Sequence, residues 1–151
     1  MRIVVDDLTH KAVVELLEFH LSAALENSPP GSVFALDVEG LRDPAVTLWS
    51  AWEADSLLGL GALKELDPGH GELKSMRTAP EHLRRGVAKT MLDHLIAEAR
   101  RRGYRRLSLE TGNSPAFAPA RALYERAGFR RCGPFAGYVD ESFSAYFSRA
   151  L

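Results

Sequence analysis

Residues 72–95, ELKSMRTAPEHLRRGVAKTMLDHL, constrain the fold more than any other stretch, because the hydrophobic period changes inside them. Up to Thr78 the chain reads as a strand. Beyond Pro80, Val87, Met91 and Leu95 recur every four residues with Ala88, Leu92, Ile96 and Ala99 beside them, which makes one apolar helical face. The spacing predicts a helix from Arg85 or Gly86 to Arg102, closed by Gly103 outside and by cations against the negative end of the dipole. Its start is unusual. Helix N-termini carry free N–H groups and positive partial charge and favour Asp, Ser or Thr, yet Arg84, Arg85 and Lys89 surround a bare Gly86. Cations gathered on a positive dipole end point to an anion. Gly86 would let a phosphate or pyrophosphate approach the amides that follow it, at Val87 and Ala88. The bland alternative is a solvated basic loop.

A chain of 151 residues, 46% hydrophobic and 26% charged, is expected to form one α/β domain over residues 1–151. The net charge of −1 argues against holding nucleic acid or an anionic membrane by bulk charge, so any basic site must be local. One cysteine, Cys132, excludes an internal disulfide and a multi-cysteine zinc site. The N-terminal apolar run is too short for a signal peptide, and no stretch approaches the ~18 apolar residues of a membrane span. A cytoplasmic protein is expected.

In chain order, residues 2–5 read as a strand, and Asp6, Asp7 and Thr9 supply turn and cap residues for a helix over 12–25. Residues 27–32, NSPPGS, must break that helix and are a candidate wall for a substrate pocket. Residues 33–41 fit either an irregular apolar segment or a short helix. Residues 46–53 and 56–66 flank Ala54-Asp55 as an antiparallel hairpin, and a third strand is expected over 71–78. Strands at 105–111, 129–135 and 142–147 and a short helix over 119–127 complete a mixed sheet with helices on both faces.

The glycine-rich candidates can be sorted by what each lacks. Residues 86–90, GVAKT, have Ala88 before the lysine where a P-loop needs glycine. Gly59-Leu60-Gly61 lies inside a strand with no helix after it, which suits close backbone packing rather than dinucleotide binding. His70-Gly71-Glu72 has the spacing of zinc deaminases without their paired cysteines, so no metal is expected. Residues 83–88, LRRGVA, instead resemble the acetyl-CoA pyrophosphate loop of the GNAT N-acetyltransferases, Q/R-x-x-G-x-G/A, with Gly86 and Ala88 at the small positions and Leu83 departing at the first. Residues 120–129, ARALYERAGF, are similar to that family's A-x-x-L-Y-x-x-x-G-F; Phe117 stands where an asparagine is common. The order of elements resembles the family over nearly the whole chain, and GELKSMRTAP, LSLETGN and PAR-LYERAGF resemble a bacterial subgroup of it.

The resemblance implies a GNAT-like fold with a mostly antiparallel sheet of about six to seven strands. It implies an acyltransferase that moves acetyl from acetyl-CoA to a small or terminal amine by direct attack, with no metal. The rival is a CoA-binding or sensory module without turnover. An alkyl amine of pKa near ~10 is only about one part in a thousand neutral at pH 7, so a base is needed. Glu72, fourteen residues before Gly86, has the offset of the strand glutamate that is the base in some members, and burial would raise its pKa toward the working range. Its alternative is a surface glutamate paired with Lys74, and Glu110 is the rival base. The resemblance also places the backbone of Met76, Arg77 and Thr78 against pantetheine and thioester, where side-chain identity should matter little. Arg84, Arg85, Gly86, Val87, Ala88 and Lys89 fall at the pyrophosphate, and Tyr124 at the departing thiolate. Tyr124 otherwise belongs to an apolar stripe with Ala120, Leu123 and Ala127, and Cys132 reads as packed core before it reads as a ping-pong nucleophile. Arg100, Arg101, Arg102, Arg105 and Arg106 sit ~24 Å from the Gly86 end of the helix, so capping and solubility suit them. His20 is a weak acceptor-site candidate, more simply a satisfied core histidine. The expected partners are acetyl-CoA, an unidentified amine and, in a homodimer, a second copy of the chain, with neither nucleic acid nor membrane.

Overall fold

The computed structural model describes residues 1–140 and 142–151. Seven strands form one sheet: β1 (Arg2–Val5), β2 (Val46–Glu53), β3 (Ser56–Asp67), β4 (His70–Thr78), β5 (Arg106–Gly112), β6 (Arg130–Cys132) and β7 (Ser144–Ala150), in the order β1-β2-β3-β4-β5-β7-β6. Every neighbouring pair is antiparallel except β4 and β5, which run parallel. The expected mixed sheet is therefore present. Helices α1 (Lys11–Glu26) and α2 (Val38–Leu41) cover one face; α3 (Val87–Arg101) and α4 (Ala118–Arg126) cover the other.

Alternation along the strands sorts side chains into two cores. Trp49, Leu58, Leu63, Leu73, Leu107 and Phe147 pack with α3 and α4. Leu48, Trp52, Leu57, Leu60 and Ala62 pack with Val13, Leu16 and Leu17 of α1. The predicted close packing at Gly59 and Gly61 is present: a Cβ at Gly61 would lie 2.7 Å from Met91 Cγ and 2.9 Å from Leu95 Cδ1 of α3.

Several boundaries differ from expectation. Helix α1 is capped by His10, whose Nδ1 accepts from the Ala12 amide, rather than by Asp6, Asp7 or Thr9. Thr9 donates to Asp7 Oδ1 from both its amide and its hydroxyl, Asp6 accepts from the Leu8 amide and from Ser50 Oγ, and Leu8 has a φ of 65°. Residues 33–41 resolve into an irregular segment followed by one turn of helix, α2, capped by Asp37. The strand expected over 129–135 is only Arg130–Cys132, because Phe129 turns into the core and Gly133-Pro134 removes ladder donors. The last strand lies at Ser144–Ala150 rather than 142–147. Its whole length is fixed by β5, from Arg106↔Ala150 to Gly112↔Ser144, a partner that the polar sequence Ser-Arg-Ala does not reveal.

Two features of β4 create the site. Its pairing with β5 spans only His70↔Arg106, Gly71↔Leu107 and Glu72↔Ser108, after which both strands continue without pairing to each other. A cleft opens at Glu72. Farther along, the β3–β4 register shifts between Ala62↔Lys74 and Leu60↔Arg77, and Ser75 takes a φ of 55°. This bulge inserts a residue and re-phases the strand. Leu73 and Met76 consequently face α3, while Lys74 and Arg77 both face the α1 side.

Candidate active site

The turn between β4 and α3 leaves the first amides of the helix without a side-chain cap. Arg84 and Gly86 have φ of 63° and 78°, the left-handed conformations that turn successive amides toward one side. Gly86 is the N-cap of α3, no side chain caps the helix, and a Cβ on Gly86 would meet nothing within 4 Å. The backbone is open to a ligand from outside the chain. Val87 differs from its neighbours, since its side chain is buried against Gly59 and only its amide can serve the turn. The expected trio of uncompensated cations is reduced. Arg85 donates to His82 Nδ1 and pairs with Glu53 at 3.3 Å, and Lys89 pairs with Asp93 at 2.9 Å. Among the described residues, Arg84 alone of the three forms no ion pair.

On the other side of the cleft lies a buried polar cluster. Glu72 is 2% exposed, which corrects the alternative of a surface glutamate, although the pairing with Lys74 is real. Glu72 Oε2 accepts from Lys74 Nζ at 3.0 Å and from Tyr138 Oη at 2.5 Å, and neither contact falls on Oε1. The ammonium offsets the cost of taking the carboxylate out of water. Lys74 also donates to Tyr138 Oη at 3.0 Å and to the Phe34 carbonyl at 3.3 Å. Burial, then the Glu72 charge and its hydrogen bond, push the Tyr138 hydroxyl well above the usual phenol range, so it stays a donor. Phe34 and Phe135 pack edge-on against Tyr138, each with ring centroids 5.1 Å away.

Tyr138 went unnoticed in the sequence. It sits in the loop before β7, sixty-six positions from Glu72, with no periodicity to mark it. The same loop carries Phe135, Val139 and Phe143, so an aromatic there does not single Tyr138 out.

Tyr124 of α4 is buried beside Phe129, and burial raises its hydroxyl to about 12, opposed by the Arg77 charge and reinforced by Glu110. Both the core reading and proximity to the cleft therefore hold. Arg77 departs from expectation, because its side chain is engaged: Nε donates to His20 Nδ1 at 2.9 Å and Cζ lies 5.6 Å from the Phe19 ring centroid. Burial first, then the Arg77 charge, hold His20 down at about 4, so the imidazole is neutral and accepts at Nδ1. Met76 and Thr78 flank Arg77 at the open end of β4, where the buried Ser75 Oγ has no hydrogen-bond partner.

Other candidates fall outside the cleft. Cys132 is exposed on the edge strand β6 rather than packed in the core, and partial desolvation of its thiol raises its pKa against the opposing Arg106 charge. A raised thiol makes a poor nucleophile. Arg101 and Arg102 bind Glu98, and Arg102 stacks 5.4 Å from the Trp49 ring, in keeping with local roles. Residues 28–31 wall a cavity of about 590 Å³ with Leu21, Leu25 and Val33. Among the described residues no cluster of His, Cys, Asp and Glu could hold a metal, and no helix is long and apolar enough to cross a membrane.

The sequence model of the Acetyltransferase (GNAT) family matches residues 12–129. The chain is 55% identical over 151 residues to the uncharacterized N-acetyltransferase YsnE of Bacillus subtilis (strain 168), covering 100% of both. A Klebsiella pneumoniae crystal structure described as an acyl-CoA N-acyltransferase superposes with a TM-score of 0.82 at 27% identity, over 99% of this chain and 97% of that one. A Bacillus subtilis acetyltransferase solved in complex with CoA superposes with a TM-score of 0.74 at 20% identity, over 99% and 98% of the two chains.

Proposed function

Because the chain belongs to the GNAT acetyltransferase family and is an acyltransferase, we propose that it passes the acetyl group of acetyl-CoA directly to the amine of a small molecule or to a terminal amine. The observation that carries this reading is the β4–β5 fork at Glu72, with the uncapped turn of α3 on one side and the Glu72–Lys74–Tyr138 cluster on the other. The CoA complex of the Bacillus subtilis relative supports the cofactor assignment.

In this reading, the amides after Gly86 hold the pyrophosphate, with Arg84 as the main side-chain contribution and Arg85 and Lys89 as weaker ones. The left-handed turn and the open space at Gly86 fit that ligand. Backbone at Met76, Arg77 and Thr78 lines the pantetheine and presents donors to the thioester oxygen as it becomes an oxyanion. The amine nitrogen attacks the carbonyl carbon, the C–S bond breaks, and the nitrogen's proton passes to Glu72, whose Oε1 is outside the Lys74 and Tyr138 contacts. Tyr124 remains protonated at any working pH and donates to the departing sulfur. Full transfer to a thiolate of pKa near ~8.5 is uphill from a phenol held at about 12. Arg77, which pulls that phenol down, makes the transfer easier. The position and raised thiol of Cys132 favour direct attack over a ping-pong route.

The experiment is thiol release from acetyl-CoA across a panel of small amines and peptide N-termini, with mass spectrometry of products and calorimetry with CoA alone. Expected are CoA binding and an N-acetylated product. Binding without turnover on any amine would count against acetyl transfer.

A further inference from the structure

The face of β4 that looks toward α1 carries Glu72, Lys74 and, after the bulge, Arg77. Lys74 is matched by Glu72 at 3.0 Å. Arg77 has no such partner. Its one hydrogen bond goes to the neutral His20, its stacking partner is Phe19, and the ionisable group that acts on it from across the cleft is the phenol of Tyr124. Among the described residues no carboxylate forms an ion pair with it and its terminal nitrogens make no hydrogen bond. An arginine cannot shed its proton to relieve a half-buried position, so the charge calls for an anion. The guanidinium fork matches a carboxylate in two parallel hydrogen bonds. His20 fixes Nε and therefore the plane of that fork.

The place of Arg77 says which anion. Its side chain reaches His20 and Phe19 of α1, on the face of β4 that also carries Glu72 and Lys74 and opposite the face that packs on α3. We infer that Arg77 anchors the carboxylate of the acceptor, so that the substrate class is an amino acid whose amine lies toward Glu72 and the thioester. This rests on the acetyl-transfer reading above and specifies its acceptor.

The test compares an aromatic and an aliphatic α-amino acid with their carboxamides and with the corresponding decarboxylated amines. Rates are compared per neutral amine, using each acceptor's own amine pKa, because at pH ~9 an α-amino group of pKa ~8 and an alkyl amine of pKa ~10.4 differ more than about tenfold in neutral fraction. One charge-assisted bidentate contact should make kcat/KM for the acid exceed that for the amide by at least about tenfold, mostly through KM. In Arg77→Gln that ratio should fall to near one, and Arg77→Lys should restore part of it. The wild-type protein also gives an answer if the glutamine variant does not fold: the des-amino carboxylate should compete with the amino acid, and its amide should not. Equal use of acid and amide by the wild type, or a ratio unchanged in Arg77→Gln, would overturn the anchor alone. So would a loss of acetyl-CoA affinity in Arg77→Gln with the acid preference intact, which would return Arg77 to the cofactor site. No turnover on any amine would remove the acetyl-transfer reading and the anchor with it.

Discussion

The two sides of the cleft are built in opposite ways. The turn before α3 is local: Arg84, Arg85, Gly86 and the first amides of the helix adjoin in sequence, and its shape arises from their backbone angles. The side proposed for the acceptor is assembled from distant segments, with Glu72, Lys74 and Arg77 from β4, His20 from α1, Phe34 from the segment after it, and Tyr138 from the loop before β7. On the first side backbone conformation does the work and the surrounding charges are exposed and partly paired. On the second, side-chain charge does the work, with Glu72 and Lys74 almost fully buried and Arg77 and His20 partly so. Substitutions should therefore cost more, and reach farther, on the acceptor side.

The sharpest test of that difference is Glu72→Gln. General-base help is typically ~10²–10⁴-fold, so kcat/KM at neutral pH should drop at least about a hundredfold, shrinking at high pH where the amine is already neutral. Acetyl-CoA affinity should change little. The variant also leaves Lys74 buried without its counter-charge, and breaking such a pair costs about 3 kcal/mol or more, so thermal unfolding should shift too. Replacing Lys74 by Met in addition should recover stability without recovering rate. A pH-independent kinetic defect would move the base role to Glu110 or a water chain. Tyr124→Phe should behave differently, with a deficit that persists at high pH and lessens with a thioester whose thiol leaves more readily.

Next in size is Gly86→Val on the local side. The chain itself leaves room for the side chain, so the effect must come from the left-handed φ of 78° and from blocked access to the amides. Backbone strain of roughly 1–3 kcal/mol predicts acetyl-CoA binding weaker by about fivefold or more by calorimetry. Gly86→Asn, which tolerates that φ, should lose less. Unchanged affinity in a folded valine variant would remove the pyrophosphate assignment.

A third prediction concerns stability on the acceptor side. The folded-state pKa of His20, about 4, lies below the ordinary 6.5, so the unfolded chain takes up the proton first as pH falls. The stabilisation is complete above pH ~6.5 and is lost progressively toward pH 4. Because the imidazole is only part-buried, we expect roughly 1–2 kcal/mol of acid sensitivity between pH 7 and 4.5 that His20→Gln lacks. Equal acid sensitivity in denaturant titrations of both proteins would show that the imidazole titrates freely.

The smallest effects belong to the exposed cations. Arg84→Ala should weaken acetyl-CoA binding by a few-fold and Arg85→Ala by less, since Glu53 already pairs with Arg85. Both should fade as salt rises. An Arg85 effect larger than that of Arg84 would mean that the Glu53 pair opens on binding.

Read alone, the chain determined whatever depends on near neighbours. The four-residue spacing from Val87 to Leu95 dictates α3, the bare Gly86 at its start dictates an open amide turn, and the runs flanking Ala54-Asp55 dictate the β2–β3 hairpin. Hydrophobic period and φ-permissive residues act over a few positions, so such features can be read in order. Only the tertiary structure decided where β4 parts from β5, that the bulge at Ser75 turns Lys74 and Arg77 to the same side, and that Tyr138 closes on Glu72. It also decided that β7 runs to Ala150, because β5 pairs with it from Ser144 to Ala150. Each of those outcomes depends on which distant backbone or charge is available to satisfy a buried group, and the pairing is selected by the cost of leaving such a group unsatisfied.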